Sequence, residues 1–158
     1  MTKVHAVAPE PGIAALLDGA QFIDAYQISV LDLRLDAAGA ARRMFARSPG
    51  WVEALMALRT AIVKPFGLKT GQEPYDRGDK IGIFPIESET PNRIVMGFAD
   101  IHLDFRAVVD VAQAAGESKV TITTLVRLHN LLGRTYLTLI VPFHKLIVRD
   151  ALKRVAAH

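Results

Sequence analysis

The chain has no cysteine, a single tryptophan and aromatic residues at only 7% of positions. Without cysteine there is no disulfide, no thiolate metal site and no cysteine nucleophile, and a cytoplasmic setting is expected. Long apolar runs are missing too. The longest uncharged stretch near the C-terminus, Thr135 to Phe143, is nine residues, whereas a membrane-spanning helix needs about 20. No membrane span is expected. The opening MTKVHAVAPEPGI breaks its apolar character with two prolines and a glutamate, so no secretory signal is expected either. Charge of one sign is scarce: 19 basic and 16 acidic residues leave a net +3. Lys145, Arg149 and Lys153 share one helical face, but no aromatic residue is interleaved with them. They read as a solvated outer face, and no nucleic-acid partner is expected.

What is present is enough for one core. At 158 residues, a single domain buries roughly 70% of the surface that its unfolded chain exposes. Residues 1–20 read as a flexible lead-in and 21–158 as one domain, with no repeat or composition shift inside it. Phe22 to Val30 (FIDAYQISV) has the aromatic and β-branched content of a first strand. Asp36 offers an N-cap for a helix over 37–47, and Ser48 with Pro49 opens a second, whose stripe is Trp51, Leu55, Leu58 and Ile62. Residues 64–79 (KPFGLKTGQEPYDRGD) lack periodicity and read as a long, functional or mobile loop.

An antiparallel meander is expected next: Lys80–Ile86, Arg93–Phe98, Ile101–Val111 and Val120–His129, with turns at Pro91, Ala99-Asp100 and Gly116. In IHLDFRAVVDV the apolar residues Ile101, Leu103, Phe105, Ala107, Val109 and Val111 share one parity, and His102, Asp104 and Arg106 alternate with them. Leu131 to Ala156 is one helical pattern, with Asn130 as its cap and Pro142 as a kink or break. Strand, two helices, meander and terminal helix is the order of an α+β helix-grip architecture, a curved sheet of five to seven strands around its C-terminal helix. Five strands are clear from sequence.

Common catalytic fingerprints are absent. There is no GxSxG, no HExxH and no Walker-type glycine loop, and Lys69-Thr70-Gly71 spells KTG without an SxxK serine to accompany it. No cofactor and no metal is indicated. The candidate ligand-binding residues are polar groups on ordered elements. His102, Asp104 and Arg106 form a row able to transfer protons or hold an anion, or else a sheet surface of cross-strand ion pairs. Arg127, His129, Asn130, Arg134 and Tyr136 gather at the junction of the last strand and the terminal helix, where free amides attract anions. The alternative there is structural, with the arginines pairing Asp104 or Asp110. His144 falls on the apolar helix face with Ile140, Ile147, Val148, Ala151 and Val155, either lining a pocket or satisfied within the core. Tyr26 of the first strand joins the candidates. Arg59 borders the buried stripe of its helix and needs a partner such as Asp24, because an unpaired buried guanidinium is costly.

Five runs carry a resemblance: FIDAY at 22–26, RMFARSPGWVEALMALR at 43–59, IVKPFGLKTG at 62–71, FPIESETPNRIVMGFADIHLDFR at 84–106 and TTLVRLHNLLGRTYLTLIVPFHKLIV at 123–148. Together they make the chain similar to a bacterial domain-of-unknown-function family, DUF2867, over nearly everything after residue 12. That family resembles the START and polyketide-cyclase helix-grip proteins. The resemblance implies a hydrophobic or aromatic ligand and carries over no catalytic residue. The resemblance also implies an association with reductase-like NAD(P)-binding modules, and no dinucleotide fingerprint is read in these residues.

Three functions are therefore expected as alternatives. One is binding of a hydrophobic or anionic small molecule in a cavity between sheet and terminal helix. Another is a cyclase, dehydratase or isomerase with His102, Asp104, His129 or His144 as proton carriers. The third is an interaction module pairing through its charged strand face, as a homodimer or with a reductase-like protein.

Overall fold

The computed structural model describes residues 3–45, 80–81, 84–99, 103–128 and 131–156. The chain runs β1 (His5–Val7), a 3-10 turn (Ile13–Leu16), β2 (Phe22–Val30), α1 (Ala37–Phe45), β3 (Lys80–Ile81), β4 (Phe84–Glu89), β5 (Arg93–Ala99), β6 (Leu103–Ala114), β7 (Glu117–Leu128) and α2 (Leu131–Ala156). Six strands form an open antiparallel sheet in the order β1-β2-β7-β6-β5-β4, and the two-residue β3 extends its β4 edge. The fold is α+β, as expected, with more strands than the five legible in sequence. β1 lies inside the expected lead-in, and the Lys80–Ile86 run divides into β3 and β4.

The longest strands follow from alternation. In β2, Tyr26, Ile28 and Val30 are buried on the face that also holds Ile94 and Met96 of β5, Ala107, Val109 and Val111 of β6, and Val120 and Ile122 of β7. The register sets these residues side by side, Ile28 beside Val120 and Val109 beside Ile122. β6 and β7 meet in a tight hairpin between Ala114 and Glu117, whose central residues Ala115 (φ 54°) and Gly116 (φ 78°) are both left-handed. That geometry suits the right-handed twist of the flanking strands.

Both described helices cover this face. The carboxylate of Asp36 accepts the Gly39 N–H at 2.7 Å and caps α1 as expected. α1 meets β6 and β5 through Ala37, Ala38, Ala40 and Ala41, small side chains that allow close approach, and Met44 fills the remaining space. α2 packs on β2, β7 and α1, burying Val148, Ala151, Leu152 and Val155. It is one helix through Pro142 rather than broken there. The two helices also bind each other's C-terminal carbonyls: Arg43 Nη1 donates to Val155 O at 3.2 Å, and Arg154 Nη1 donates to Met44 O at 2.7 Å. Arg43 Nη2 pairs with Asp32 at 2.8 Å, and this hydrogen bond holds the Asp32 carboxyl below its ordinary value.

The opposite face has its own apolar cluster of Val95, Val108 and Leu125, covered by Ile13 and Leu17 from the segment around the 3-10 turn. Two residues of positive φ, Gly12 and Gly19, flank that turn. The second helix, the 64–79 loop and the Asn130 cap expected from sequence lie outside the described residues.

Candidate functional site

β2 carries one carboxylate on its helix-facing parity. Phe22, Asp24, Tyr26, Ile28 and Val30 alternate onto the same side, and Asp24 stands opposite the buried Thr124 of β7. α2 crosses this position and brings His144 to Asp24. Nε2 of His144 lies 3.3 Å from Oδ1 and 3.3 Å from Oδ2. Both side chains are largely covered, His144 at 16% and Asp24 at 19% exposure. Oδ2 is shut off from solvent and has no aligned hydrogen bond, with the imidazole as its near neighbour at 3.3 Å. A carboxylate so placed is costly without a partner, and the imidazole N–H is that partner.

Aromatic groups frame the pair. The Phe22 ring stands edge-on to His144, with centroids 5.8 Å apart and planes at 79°. Tyr26, one step further along the same face, is 5% exposed, and the guanidinium carbon of Arg149 lies 5.6 Å from its ring centroid. Arg149 is exposed, as expected of it with Lys153, and its guanidinium also makes a cation–π contact with Tyr26.

The residues singled out from sequence divide between faces. Tyr26 and His144 are on the helix side. Asp104 and Arg106 share their parity with Val108 and so lie on the opposite side. There, Arg106 Nη1 donates to Phe105 O at 2.8 Å, and its Nε faces Glu87 Oε2 at 2.8 Å without hydrogen-bond alignment. Arg93 holds Asp110 across the strands at 2.6 Å and also pairs with Glu10 of the N-terminal segment. Arg127 donates to Asp18 O at 3.4 Å. Arg93 and Arg106 thus form ion pairs on this face, and Asp104 and His144 lie on opposite sides of the sheet. Arg134 and Tyr136 belong to the first turns of α2, with side chains outside the described set. Arg59, His102, His129 and Asn130 also lie outside it.

Asp24 was legible from sequence only as a possible partner for Arg59, and Phe22 only as a strand former. The overlooked clue was parity: one acid among apolar residues on the core face of β2 must meet a polar group from whatever packs there. Among the described residues, no three of histidine, aspartate and glutamate gather as metal ligands, and no helix is long and apolar enough to cross a membrane.

An open antiparallel sheet with two helices on one face, the terminal helix meeting β2 through an Asp–His pair, defines this as an α+β domain with a polar contact set into its helix–sheet interface. The chain belongs to the family described as protein of unknown function (DUF2867), whose model matches residues 16–151. No curated protein and no solved structure matches it in the corresponding comparisons.

Proposed function

We propose that the chain is a single helix-grip-like domain that binds a hydrophobic or aromatic small molecule between its sheet and α2, in the manner of START-like and polyketide-cyclase-like proteins. The observation that carries this reading is the Asp24–His144 pair, two half-buried polar groups beside Phe22 within a largely apolar interface. Apolar surroundings with a few convergent polar groups are the usual composition of ligand sites. The order of elements supports it as well, because β2 pairs with β7 and α2 returns across both.

A thermal-shift panel of lipids and aromatic metabolites tests the reading. A ligand supplied at about 100 times its Kd stabilises the folded chain by about 2.7 kcal/mol, which raises the Tm of a domain this size by about 5–11 °C. At least one chemical class is expected to do so, with a smaller shift in His144→Ala. A flat response across the panel contradicts the proposal.

A second reading, a cyclase, dehydratase or isomerase, is favoured by the same pair, since a carboxylate beside an imidazole orients the ring and fixes its tautomer. In that reading His144 carries the proton and Asp24 positions it. Asp104, on the other face, takes no part. The interaction-module reading draws less support, because Arg93 and Arg106 are matched by Asp110, Glu10 and Glu87 within the chain.

A further inference from the structure

We infer that His144 selects a ligand bearing a weakly acidic hydroxyl, a phenol or an enol, whose O–H donates to Nδ1 of the imidazole. This rests on the ligand-binding reading above and adds the chemical class of the ligand. An ionised carboxylate only accepts hydrogen bonds, so the nitrogen that faces Asp24, Nε2, carries the ring proton. In the neutral ring the remaining nitrogen, Nδ1, is then a lone-pair acceptor. Nε2 meets Asp24 and the ring meets Phe22, while Nδ1 forms no hydrogen bond with a described residue.

A ligand group able to satisfy that lone pair must be a donor. An ether or carbonyl oxygen would set lone pair against lone pair, whereas a hydroxyl completes a chain from its own O–H through the imidazole to Asp24. The more acidic the hydroxyl, the stronger that chain, because charge shifting onto the ring is balanced by the carboxylate 3.3 Å away. Hydroxyls of raised acidity are those conjugated to a π-system. The edge-on Phe22 ring beside His144 supplies the surface against which such a flat system packs.

Calorimetric titration of the full chain with naphthol and with its methyl ether, methoxynaphthalene, tests this. The two share a ring system and differ in the one proton. Naphthol is expected to bind about tenfold more tightly or better, the scale of one hydrogen bond to a coupled ionic pair. The preference is expected to vanish in His144→Phe, which keeps a ring at the position, and to weaken in Asp24→Asn. Equal affinities in the wild-type chain, or a preference that survives both substitutions, overturn the inference and leave the ligand-binding reading standing. Binding of neither compound while other panel members bind also overturns the inference alone. If nothing in the panel binds, the reading beneath it falls as well.

Discussion

Gly97→Ala is expected to be among the most destabilising single substitutions in the chain. A Cβ built on Gly97 would sit 2.1 Å from the carbonyl oxygen of Phe105 and 3.1 Å from the Cα of Arg106. Those atoms are backbone of β6, the strand paired with β5 on one side and β7 on the other. They cannot swing aside as the tip of a side chain could. Relief requires β5 and β6 to separate, with loss of ladder hydrogen bonds in mid-sheet and disturbance of buried Met96 and Ala107 beside them. The cost is expected to exceed about 4 kcal/mol, against a total stability on the order of 5–15 kcal/mol. Circular dichroism and urea titration of the purified variant provide the check. A Tm within about 3 °C of the wild type, where 1 kcal/mol corresponds to about 2–4 °C, would show that the two strands do not approach as described. The same glycine has a second consequence. Arg106 on β6 is paired with Gly97 on β5, yet its charge partner Glu87 is on β4. The guanidinium therefore passes over a position that carries no side chain.

Leu152→Ala carries the second large effect. Leu152 is fully buried on α2 with Val148, Ala151 and Val155, in the same cluster as Met44 of α1 and the helix-facing residues of the sheet. Truncation removes apolar contact and leaves a cavity bounded by two helices and a sheet, with little freedom to collapse. The expected loss is about 2–5 kcal/mol. It is read as a lower urea midpoint at unchanged slope, since the surface exposed on unfolding stays nearly the same. A loss below about 1 kcal/mol, the scale of an ordinary surface or semi-exposed substitution, would mean that α2 is not docked by this stripe.

Much of the fold was legible because alternation and helical spacing are local. β2 was read to its exact ends, Phe22 and Val30, and the terminal helix over Leu131 to Ala156. The Asp36 cap was read from its position just before an alanine-rich run. The hairpin at Gly116 was anticipated, although β6 and β7 run on to Ala114 and Glu117. Polar residues at their ends hid this, with Gln113 bonding Leu35 O and Ser118 bonding Asp32 O, contacts supplied by a loop distant in sequence. β1 was missed for a similar reason: three residues with two exposed have no pattern of their own and exist by pairing with β2.

The site was less legible than the fold. The polar row on β6 drew notice because it alternates cleanly, yet clean alternation is what a sheet face turned from the helices looks like, and Asp104 and Arg106 are there. The contact between helix and sheet depended on Asp24, a single acid on an apolar strand face, whose partner lies 120 residues along the chain. Sequence periodicity placed His144 on the correct side of its helix. Only the docking of α2 across β2 supplies what it meets.

The account rests most on that meeting, and nitrogen-detected NMR of the free protein measures it directly. The His144 ring is expected to hold its proton on Nε2, protected from exchange and hydrogen-bonded to a carboxylate, with Nδ1 unprotonated, and to lose that signature in Asp24→Asn. A His144 resonance averaged between tautomers, or a proton fixed on Nδ1, would contradict it.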